Sequence, residues 1–310
     1  MINWKGKKVI VTGATGAVGK PLCSRLMDSG ADVVVFSRDP DVAKTIVKAD
    51  RYVAWTATDD GRWANEIDSS HAVVGLAGAP FFRKWTPEYR REAIESRVIG
   101  TRGLVNAMRN AAVRPRIFVS ASSVGIYGYE GIDDRKIDEN FPPGRDSWGQ
   151  DSIQWELEAQ KAQDELGIRT VVLRTGVVLS KKEGPMPWWV PTFKRYWGGP
   201  IAPGNQWIPW IHIEDEIGLI QFALENEKVS GPLNCTAPEP QISRDFFRTL
   251  GKVLKRPSWA PGQAYFMRKQ FGEAAIVITH SKRVIPKKAL DLGYKFKYSR
   301  AKEAFRDLIQ

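Results

Sequence analysis

The sequence predicts an α/β protein, with a doubly wound, Rossmann-like parallel sheet and a small, mostly helical C-terminal lobe. Three observations support this prediction. Apolar, β-rich runs alternate with helix-length amphipathic stretches through the first half of the 310-residue chain, which is typical of a parallel sheet with helices on both faces. Several of the runs are almost continuously apolar, as strands buried on both faces require. The first run leads directly into a glycine-rich turn.

The predicted elements follow one another as strand and helix. Strands are expected at residues 8–12, 32–36, 51–55, 72–76, 116–120 and 169–174, where the runs are apolar and largely β-branched or aromatic. Helices are expected between them at residues 17–29, 40–48, 87–110 and 147–166. Further helices are expected at residues 214–226, 243–255 and 300–309. Residues 181–210 are rich in Trp, Pro and Gly and show little periodicity.

Composition excludes several classes of protein. The chain carries 46 Lys and Arg against 35 Asp and Glu, a net charge of +11, but the basic residues are dispersed and match no zinc-finger or RNA-binding pattern. No apolar run reaches the ~18–20 residues of a membrane span, and the lead before the first strand is too short for a signal peptide. Two cysteines are too few for a disulfide framework. We therefore expect a cytoplasmic protein with no nucleic-acid and no membrane partner.

The most informative motif is the turn after the first strand. Residues 9–20 read Val-Ile-Val-Thr-Gly-Ala-Thr-Gly-Ala-Val-Gly-Lys, so a Gly-x-x-Gly-x-x-Gly turn joins a strand to a helix. Such glycines permit a tight turn, a close approach to a pyrophosphate and close packing of the helix, whose N-terminus offers N–H donors to phosphates. The alternative is a glycine-rich turn without a ligand. We predict dinucleotide binding by the loop residues Gly13, Thr15, Gly16, Ala17, Val18 and Gly19.

The end of the second strand indicates which dinucleotide. An NAD-preferring site usually has an acidic residue there, which accepts a hydrogen bond from the ribose 2′-hydroxyl. This chain has Ser37 followed by Arg38, and a hydroxyl with a guanidinium would hold a 2′-phosphate. We therefore predict NADP(H) as the cofactor. Residues 1–180, with 207–236 returning to them, are expected to form the NADP(H)-binding domain, and residues 181–206 and 237–310 the substrate-side lobe.

The sequence resembles the extended short-chain dehydrogenase/reductases over most of its length. The segments that carry the resemblance are residues 12–19, 76–79 (Leu-Ala-Gly-Ala), 98–101, 119–128 (Val-Ser-Ala-Ser-Ser-Val-Gly-Ile-Tyr-Gly), 174–179 and 210–215. Residues 95–102, 173–179, 206–212 and 234–238 resemble an epimerase-like branch with its own short C-terminal domain. The resemblance adds Leu76, Ala77, Gly78 and Ser122 to the expected cofactor contacts. Extended family members often dimerise through the fourth and fifth helices, so the resemblance also predicts a homodimer.

The same resemblance shows which part of the usual chemistry is missing. In the superfamily, a serine after the fifth strand polarises the substrate oxygen, and a Tyr-x-x-x-Lys pair on the next helix moves the proton. The serine corresponds to Ser123. The tyrosine and lysine positions are occupied by Asp151 and Trp155. The chain's one Tyr-x-x-x-Lys, from Tyr265 to Lys269, lies far into the C-terminal lobe, and we interpret it as coincidence.

Several side chains are candidates for the missing acid. Tyr127 and Tyr129 follow the fifth strand. We predict that Ser123 and Tyr127 are the catalytic residues. Asp151 and Glu156 are possible bases, although a carboxylate on a helix is more often solvated or capping. His212 is expected to pin the returning strand, and Arg97 to contact the cofactor or an anionic substrate. No His, Cys, Asp and Glu cluster has metal-ligand spacing, so no metal site is expected.

The leading hypothesis is an NADP(H)-dependent oxidoreductase or epimerase-like enzyme that acts on a small carbonyl or hydroxyl compound. The alternative is an NADP(H)-binding redox sensor or scaffold protein without turnover. Five of the 12 tryptophans lie within residues 188–210, on the segment expected to cover the substrate cleft, which would suit an apolar or ring-bearing substrate. We expect Trp188, Trp189 and Trp197 at the pocket or its rim, and Trp207 and Trp210 in packing between the lobes.

Overall fold

The structure is a computed structural model that describes residues 3–57, 61–80, 83–131, 134–260, 269 and 271–310. The strands are β1 Lys8–Thr12, β2 Asp32–Ser37, β3 Arg51–Ala54, β4 Ala72–Gly75, β5 Ile117–Ser123, β6 Arg169–Thr175, β7 Val177–Leu179, β8 Trp207–Ile208, β9 Trp210–His212, β10 Gly231–Cys235 and β11 Gln241–Ile242. The α-helices are α1 Gly19–Asp28, α2 Pro40–Ile46, α3 Pro87–Asn110, α4 Ser147–Asp164, α5 Met186–Lys194, α6 Ile213–Glu225, α7 Ser243–Leu254, α8 Ile276–Thr279, α9 Lys287–Asp291 and α10 Ala301–Ile309.

Seven strands form one parallel sheet in the order β10-β6-β5-β4-β1-β2-β3. The order reverses direction between β1 and β4, and this switch point is where open α/β sheets leave a crevice for ligands. The predicted fold class, a doubly wound Rossmann-like sheet with a helical C-terminal region, is confirmed. Two shorter pairs, β7 with β9 and β8 with β11, lie outside this sheet.

Alternate residues of the strands bury opposite faces of the sheet, because successive side chains on a strand point to opposite sides. Val9 and Val11 pack with residues of α1 and α6, whereas Ile10 packs with residues of α3 and α4. Two separate apolar cores result, one on each face. The near-continuous apolar strands of the sequence are therefore explained by burial on both sides.

The helices begin where the sequence supplies caps. Asp39 accepts hydrogen bonds from the backbone N–H groups of Asp41 and Val42 at the start of α2. Thr86 accepts one from Tyr89 at the start of α3, where Pro87 occupies the first helical position. These side chains satisfy N–H groups that the helix itself leaves without acceptors. The starts of these two helices are thus encoded locally.

The C-terminal region has its own apolar core, which includes Phe193, Trp210, Phe246 and Phe305. It is held to the sheet domain by Asp215 of α6, whose carboxylate accepts hydrogen bonds from the backbone N–H groups of Lys297 and Tyr298 at 2.7 and 2.8 Å. Among the helices that the structure describes, none is long and apolar enough to cross a membrane.

Candidate functional site

A cavity of about 1120 Å³ opens at the carboxyl edge of the sheet, beside the switch point. Its walls come from the glycine turn after β1, from the ends of β2, β4, β5 and β6, and from α3. The opposite side is formed by residues 182–189, at the start of α5, and by side chains of residues 277–281. The two regions of the chain therefore enclose one cleft between them.

The glycine turn is held tightly against the end of β4. Gly13 has φ +67°, and a Cβ added there would lie 2.7 Å from the carbonyl carbon of Leu76. Thr12 Oγ1 accepts hydrogen bonds from the backbone N–H groups of Leu76 and Ala77, each at 3.1 Å. A Cβ at Gly19 would lie 2.3 Å from the Gly13 oxygen. Glycine is thus required at 13 and 19 by backbone geometry.

The groups at this end of the cavity suit an anion. Among the described residues, no acceptor contacts the backbone N–H groups of Ala17 and Val18, and the first turn of α1 contains no acidic side chain. Arg38 is exposed on the cavity wall and makes no hydrogen bond or ion pair with another described residue. A helix N-terminus and an unpaired guanidinium together provide what two separate phosphate groups need.

The structure brings most of the expected cofactor residues to the cavity wall. Those that line it are Gly13, Thr15, Gly16, Ala17, Val18, Ser37, Arg38, Leu76, Ala77 and Gly78. Gly19 and Ser122 do not. Gly19 packs α1 against the turn, and the Ser122 hydroxyl donates a 2.6 Å hydrogen bond to Glu156 Oε1, on the side of the sheet that faces α4. Ser122 therefore does not occupy the position expected of a cofactor contact.

Ser123 lines the cavity at the end of β5. Its Oγ accepts a 3.0 Å hydrogen bond from the backbone N–H of Gly125. Tyr129 lies close to Ser123, and burial raises the pKa of this tyrosine far above its ordinary value, so its hydroxyl stays protonated. A Cβ at Gly125 would lie 3.2 Å from the Tyr129 hydroxyl and 3.3 Å from Ser123 Oγ. A side chain at Gly125 would therefore crowd both hydroxyls.

Tyr127 lies away from the cavity. Its ring is buried, its hydroxyl donates a 2.7 Å hydrogen bond to Asn234 Oδ1, and it accepts one from Arg174 at 3.1 Å. Burial raises the pKa of Tyr127 to about 12, and the neighbouring Arg174 opposes that increase. Because the hydroxyl is held between two protein partners and does not line the cavity wall, its position does not support the catalytic role expected for Tyr127.

The positions of the missing tyrosine and lysine have been taken over by structural contacts of α4. Asp151 accepts a 3.0 Å hydrogen bond from Arg90 Nε of α3, and Arg90 also lies over the ring of Trp148. The Trp155 indole donates a 2.9 Å hydrogen bond to Thr101, and Arg97 lies over its ring. Neither Asp151 nor Trp155 lines the cavity. Tyr265, of the C-terminal Tyr-x-x-x-Lys, lies outside the described residues.

Glu156 belongs to a buried ion pair. Its carboxylate accepts hydrogen bonds from Arg174 Nε at 3.0 Å and Nη2 at 2.8 Å, besides the one from Ser122. The pair leaves only 7% of the Arg174 side chain and 12% of the Glu156 side chain exposed. Removing either partner would leave an uncompensated buried charge, which is strongly destabilising. The pair joins α4 to β6, and Glu156 is not a free base.

Arg97 and His212 are also held by the protein. The Arg97 guanidinium donates hydrogen bonds to the backbone oxygens of Ala93 and Ala79, and burial lowers the pKa of Arg97. His212 is buried and caps α6, because its Nδ1 accepts a hydrogen bond from the Glu214 N–H. Burial lowers the pKa of His212. Neither side chain lines the cavity.

The five tryptophans of residues 188–210 lie in different environments. Trp188 and Trp189 line the cavity. Trp197 does not: it is 68% exposed and its ring lies 6.3 Å from that of Trp259. Trp207 donates a hydrogen bond to Asp134, and Trp210 is buried beside Phe246. The expectation of a rim position for Trp197 is therefore wrong, because its ring packs on another surface tryptophan.

Two titratable residues of α3 in the cavity wall, Tyr89 and Glu92, were not predicted from the sequence. Tyr89 donates a 2.6 Å hydrogen bond to the Pro80 oxygen, and the exposed carboxylate of Glu92 has no hydrogen-bond or ion-pair partner among the described residues. Helical spacing on α3 places Tyr89, Glu92 and Ser96 on one side, but nothing in the sequence indicates that this side faces a cleft. No group of three or more His, Cys, Asp or Glu side chains in the described part of the chain is arranged to hold a metal ion.

One protein-family model covers most of the chain. Residues 9–235 match the model of the NAD dependent epimerase/dehydratase family. The chain belongs to this family. The match covers the glycine turn, every strand of the seven-stranded sheet except the first residue of β1, and the end of β5, and it confirms the resemblance to the extended short-chain dehydrogenase/reductases. Residues 264–308 match a domain of unknown function, DUF1731.

Relatives of this epimerase-family chain are similar over nearly its whole length. An Arabidopsis thaliana protein, the chloroplastic epimerase family protein SDR39U1 homolog, is 37% identical over 97% of this chain and 86% of the relative. The Bacillus subtilis epimerase family protein YfhF is 33% identical over 97% of each chain. The crystal structure of human epimerase family protein SDR39U1 (isoform 2) with NADPH superposes with a TM-score of 0.85, at 30% identity, over 97% of this chain and 98% of the human one.

Proposed function

We propose that this protein binds NADP(H) in the cavity at the switch point and uses it as an oxidoreductase or epimerase-like enzyme on a small carbonyl or hydroxyl compound. The observation that carries the proposal is the unpaired Arg38 on the cavity wall, beside a glycine turn that begins a helix. The human relative crystallised with NADPH supports the choice of cofactor. When bound, the nicotinamide would supply or accept a hydride.

The two ends of the cofactor would be held by different elements. The N–H groups at the start of α1 would bind the pyrophosphate. Arg38 would bind the 2′-phosphate through charge-assisted hydrogen bonds. The Ser37 hydroxyl, which donates a 3.0 Å hydrogen bond to the Asp39 backbone oxygen, would rotate away from that oxygen to join Arg38. Asp39, the acidic side chain next to Arg38, is occupied in capping α2. Asp39 is therefore not available to accept a hydrogen bond from the ribose 2′-hydroxyl, as the acidic residue of an NAD-preferring site does.

Ser123 would bind the reacting oxygen of the substrate. Its Oγ already accepts a hydrogen bond from the Gly125 N–H, and the protonated hydroxyl of Tyr129 lies nearby. With the Tyr129 hydroxyl as a second donor, both lone pairs of the oxygen would be filled, and the serine's own proton would be left to donate to a ligand in the cavity. Tyr129 would act through Ser123 as a positioning residue. Tyr127 has no part in this proposal.

The substrate end of the cavity suits a small apolar or ring-bearing compound. Pro185, Pro187, Trp188, Trp189 and Ile278 line it. Pockets of this kind bind by apolar contact and use a few polar groups for orientation. The titratable side chains of α3 in the wall, Tyr89 and Glu92, are the groups from which a proton donor could be recruited.

The cofactor is tested by titrating the protein with NADPH and with NADH. Arg38→Glu should weaken NADPH binding by about 10- to 100-fold, because hydrogen bonds to charged groups contribute ~1.5–3 kcal/mol each. NADH binding should change little. Arg306→Glu, at an exposed position on α10 away from the cavity, is the matched control. An unchanged ratio of NADPH to NADH affinity in Arg38→Glu would remove this residue from the site, and no binding of either nucleotide would overturn the proposal.

Turnover is tested separately, by screening carbonyl and hydroxyl compounds while following the absorbance of NADPH. Ser123→Ala should lower kcat by roughly 100-fold for any compound that reacts, since removal of one donor to a developing oxyanion typically has such an effect. Tyr129→Phe should have a smaller effect in the same direction. Tight NADPH binding without turnover of any compound would instead support the alternative, a redox sensor or scaffold protein, which is favoured by the loss of the Tyr-x-x-x-Lys pair.

A further inference from the structure

One face of the C-terminal region carries an unusual set of exposed aromatic side chains. In the described part of the chain, the exposed aromatic side chains all come from two segments of this region: Trp188 is 56%, Tyr196 54%, Trp197 68% and Trp259 62% exposed. They come from α5 and the turn after it, and from the segment after α7. We call this surface, formed by residues 181–197 and 252–259, the aromatic face.

The aromatic face is anchored by ring packing and a hydrogen bond. Phe193 of α5 is buried and stacks on Phe247 of α7. The rings of Trp197 and Trp259 lie 6.3 Å apart, and the Trp259 indole N–H donates a 3.0 Å hydrogen bond to the Tyr196 backbone oxygen. The polar atom of that indole is therefore satisfied by the protein, and its exposed part is hydrocarbon. The exposed aromatic rings are therefore held in place by the protein while their apolar surface faces solvent.

The aromatic face is also strongly basic. Residues 181–197 and 252–259 contain seven Lys and Arg residues and one acidic residue, Glu183. The basic residues are Lys181, Lys182, Lys194, Arg195, Lys252, Lys255 and Arg256. Lys194, Arg195 and Lys255 are exposed and form no ion pair with another described residue. A face on which exposed tryptophans alternate with unpaired cations matches the interfacial region of an anionic bilayer, where indoles lie at headgroup level and cations bind acidic lipids.

We propose that the aromatic face docks on the surface of a membrane that contains anionic phospholipid. This revises the expectation of no membrane partner, which rested on the lack of a spanning segment; surface binding needs no such segment. Trp188 and Lys182 belong both to this face and to the wall of the cavity, so docking would turn the mouth of the cavity towards the lipid.

The test is flotation of the full chain with vesicles of phosphatidylcholine alone and of phosphatidylcholine mixed with phosphatidylglycerol. Binding is expected to the mixed vesicles only and to weaken as salt is added. Trp197→Ala with Trp259→Ala should reduce the bound fraction, and Lys194→Gln with Arg195→Gln should reduce it and its salt dependence, each with a partition coefficient lowered roughly tenfold. Neither pair lines the cavity, so unchanged NADPH binding and circular dichroism would show that the variants are folded.

Val113→Ala with Lys302→Gln is the matched control, because both residues are exposed on other surfaces. This variant should float like the unmodified chain. The proposal is overturned if the unmodified chain does not bind the mixed vesicles, or if the control and the aromatic-face variants bind equally. It is also overturned if the same variants lose binding to single-stranded DNA, or lose self-association measured by sedimentation, while the unmodified chain ignores vesicles.

Discussion

The carboxyl group of Glu216 lies inside the protein, on the first turn of α6. It is 2% exposed, and its Oε1 accepts a 2.9 Å hydrogen bond from Thr175 Oγ1, while Oε2 has no partner in the described part of the structure. Burial raises the pKa of Glu216 to about 8, and the Thr175 hydroxyl opposes this only partly. The group is therefore neutral in the folded protein at neutral pH.

This protonation makes stability depend on pH in a defined direction. The unfolded chain releases the Glu216 proton near its ordinary pKa of 4.5, whereas the folded chain keeps it up to about pH 8. The contribution of Glu216 to the free energy of unfolding is therefore complete below pH 4.5 and is lost as pH rises to about 8, by at most ~1.4 kcal/mol per pH unit.

Glu216→Gln should flatten this decline, because the amide does not ionise. The measurement is urea unfolding at a series of pH values between 5 and 8, with exposed Glu183→Gln as the control. A slope in Glu216→Gln as steep as in the unmodified chain would show that another group carries the pH dependence. If Glu216→Gln is less stable than the unmodified chain by the same amount at every pH, the difference reflects only how the amide packs, and the prediction is contradicted.

At the scale of single residues, the sequence identifies site residues whose type is dictated by the ligand, but it does not show which side chains are buried. The glycine turn and Arg38 are recognisable because backbone geometry and charge dictate those residue types. Tyr127 and Glu216 are not, because a tyrosine or glutamate reads the same whether it faces a cleft or a core. Which of the two occurs depends on partners far away in the chain, such as Asn234 for Tyr127 and Thr175 for Glu216.

Among the elements, the glycine turn gives the sharpest prediction. Gly13 and Gly167 have nearly the same left-handed backbone, with φ of +67° and +69°, but a Cβ at Gly167 would meet nothing within 4 Å. Gly167→Ala should therefore cost only the ~1–2 kcal/mol of the backbone conformation. Gly13→Ala adds a clash with backbone atoms of Leu76 and Ala77 and should displace the turn.

The expected result is a larger loss of unfolding free energy in Gly13→Ala than in Gly167→Ala, together with a loss of NADPH binding of at least about tenfold in Gly13→Ala alone. Urea unfolding and fluorescence titration measure the two quantities. Equal behaviour of the two variants in both measurements would mean that the turn relaxes freely and that its approach to β4 is not needed.

Elements with strong local signals could be predicted, and those that depend on distant contacts could not. Six of the seven strands of the parallel sheet follow from their continuous apolar runs, within one residue of the observed ends except at the end of β5, which continues three residues further. The seventh, β10, has no such run and is not among the predicted strands. Helix α5 was not expected, since Pro187 and Pro191 interrupt its pattern. It forms because Met186 and Phe193 are buried against the C-terminal core. Packing here outweighs the unfavourable helix propensity of proline.

For the molecule as a whole, ligand binding should be visible as stability. NADPH at about a hundred times its Kd should add ~2.7 kcal/mol to the free energy of unfolding, which raises the Tm of a chain of this size by roughly 5 °C. NADH at the same concentration should raise it less. Thermal unfolding followed by tryptophan fluorescence provides the measurement, and equal shifts with both nucleotides would contradict the assignment of Arg38 to the 2′-phosphate.

The division of the chain into a cofactor domain and a substrate-side lobe stays a prediction, as does its cellular compartment. The sheet and the glycine turn could be foreseen because they rest on short-range patterns. The cleft between the two regions could not, because it depends on how residues 182–189 and 277–281 come to lie opposite the sheet edge. No local pattern encodes that arrangement.

The contacts of Asp151 and Trp155 on α4 have a consequence for protein engineering. Changing Asp151 to tyrosine would leave Arg90 without one of its two carboxylate partners, and a lysine at Trp155 would lie beside Arg97 and lose the bond to Thr101. Each substitution is unfavourable by itself. Engineering a Tyr-x-x-x-Lys pair into α4 would therefore cost stability before it could add catalytic groups.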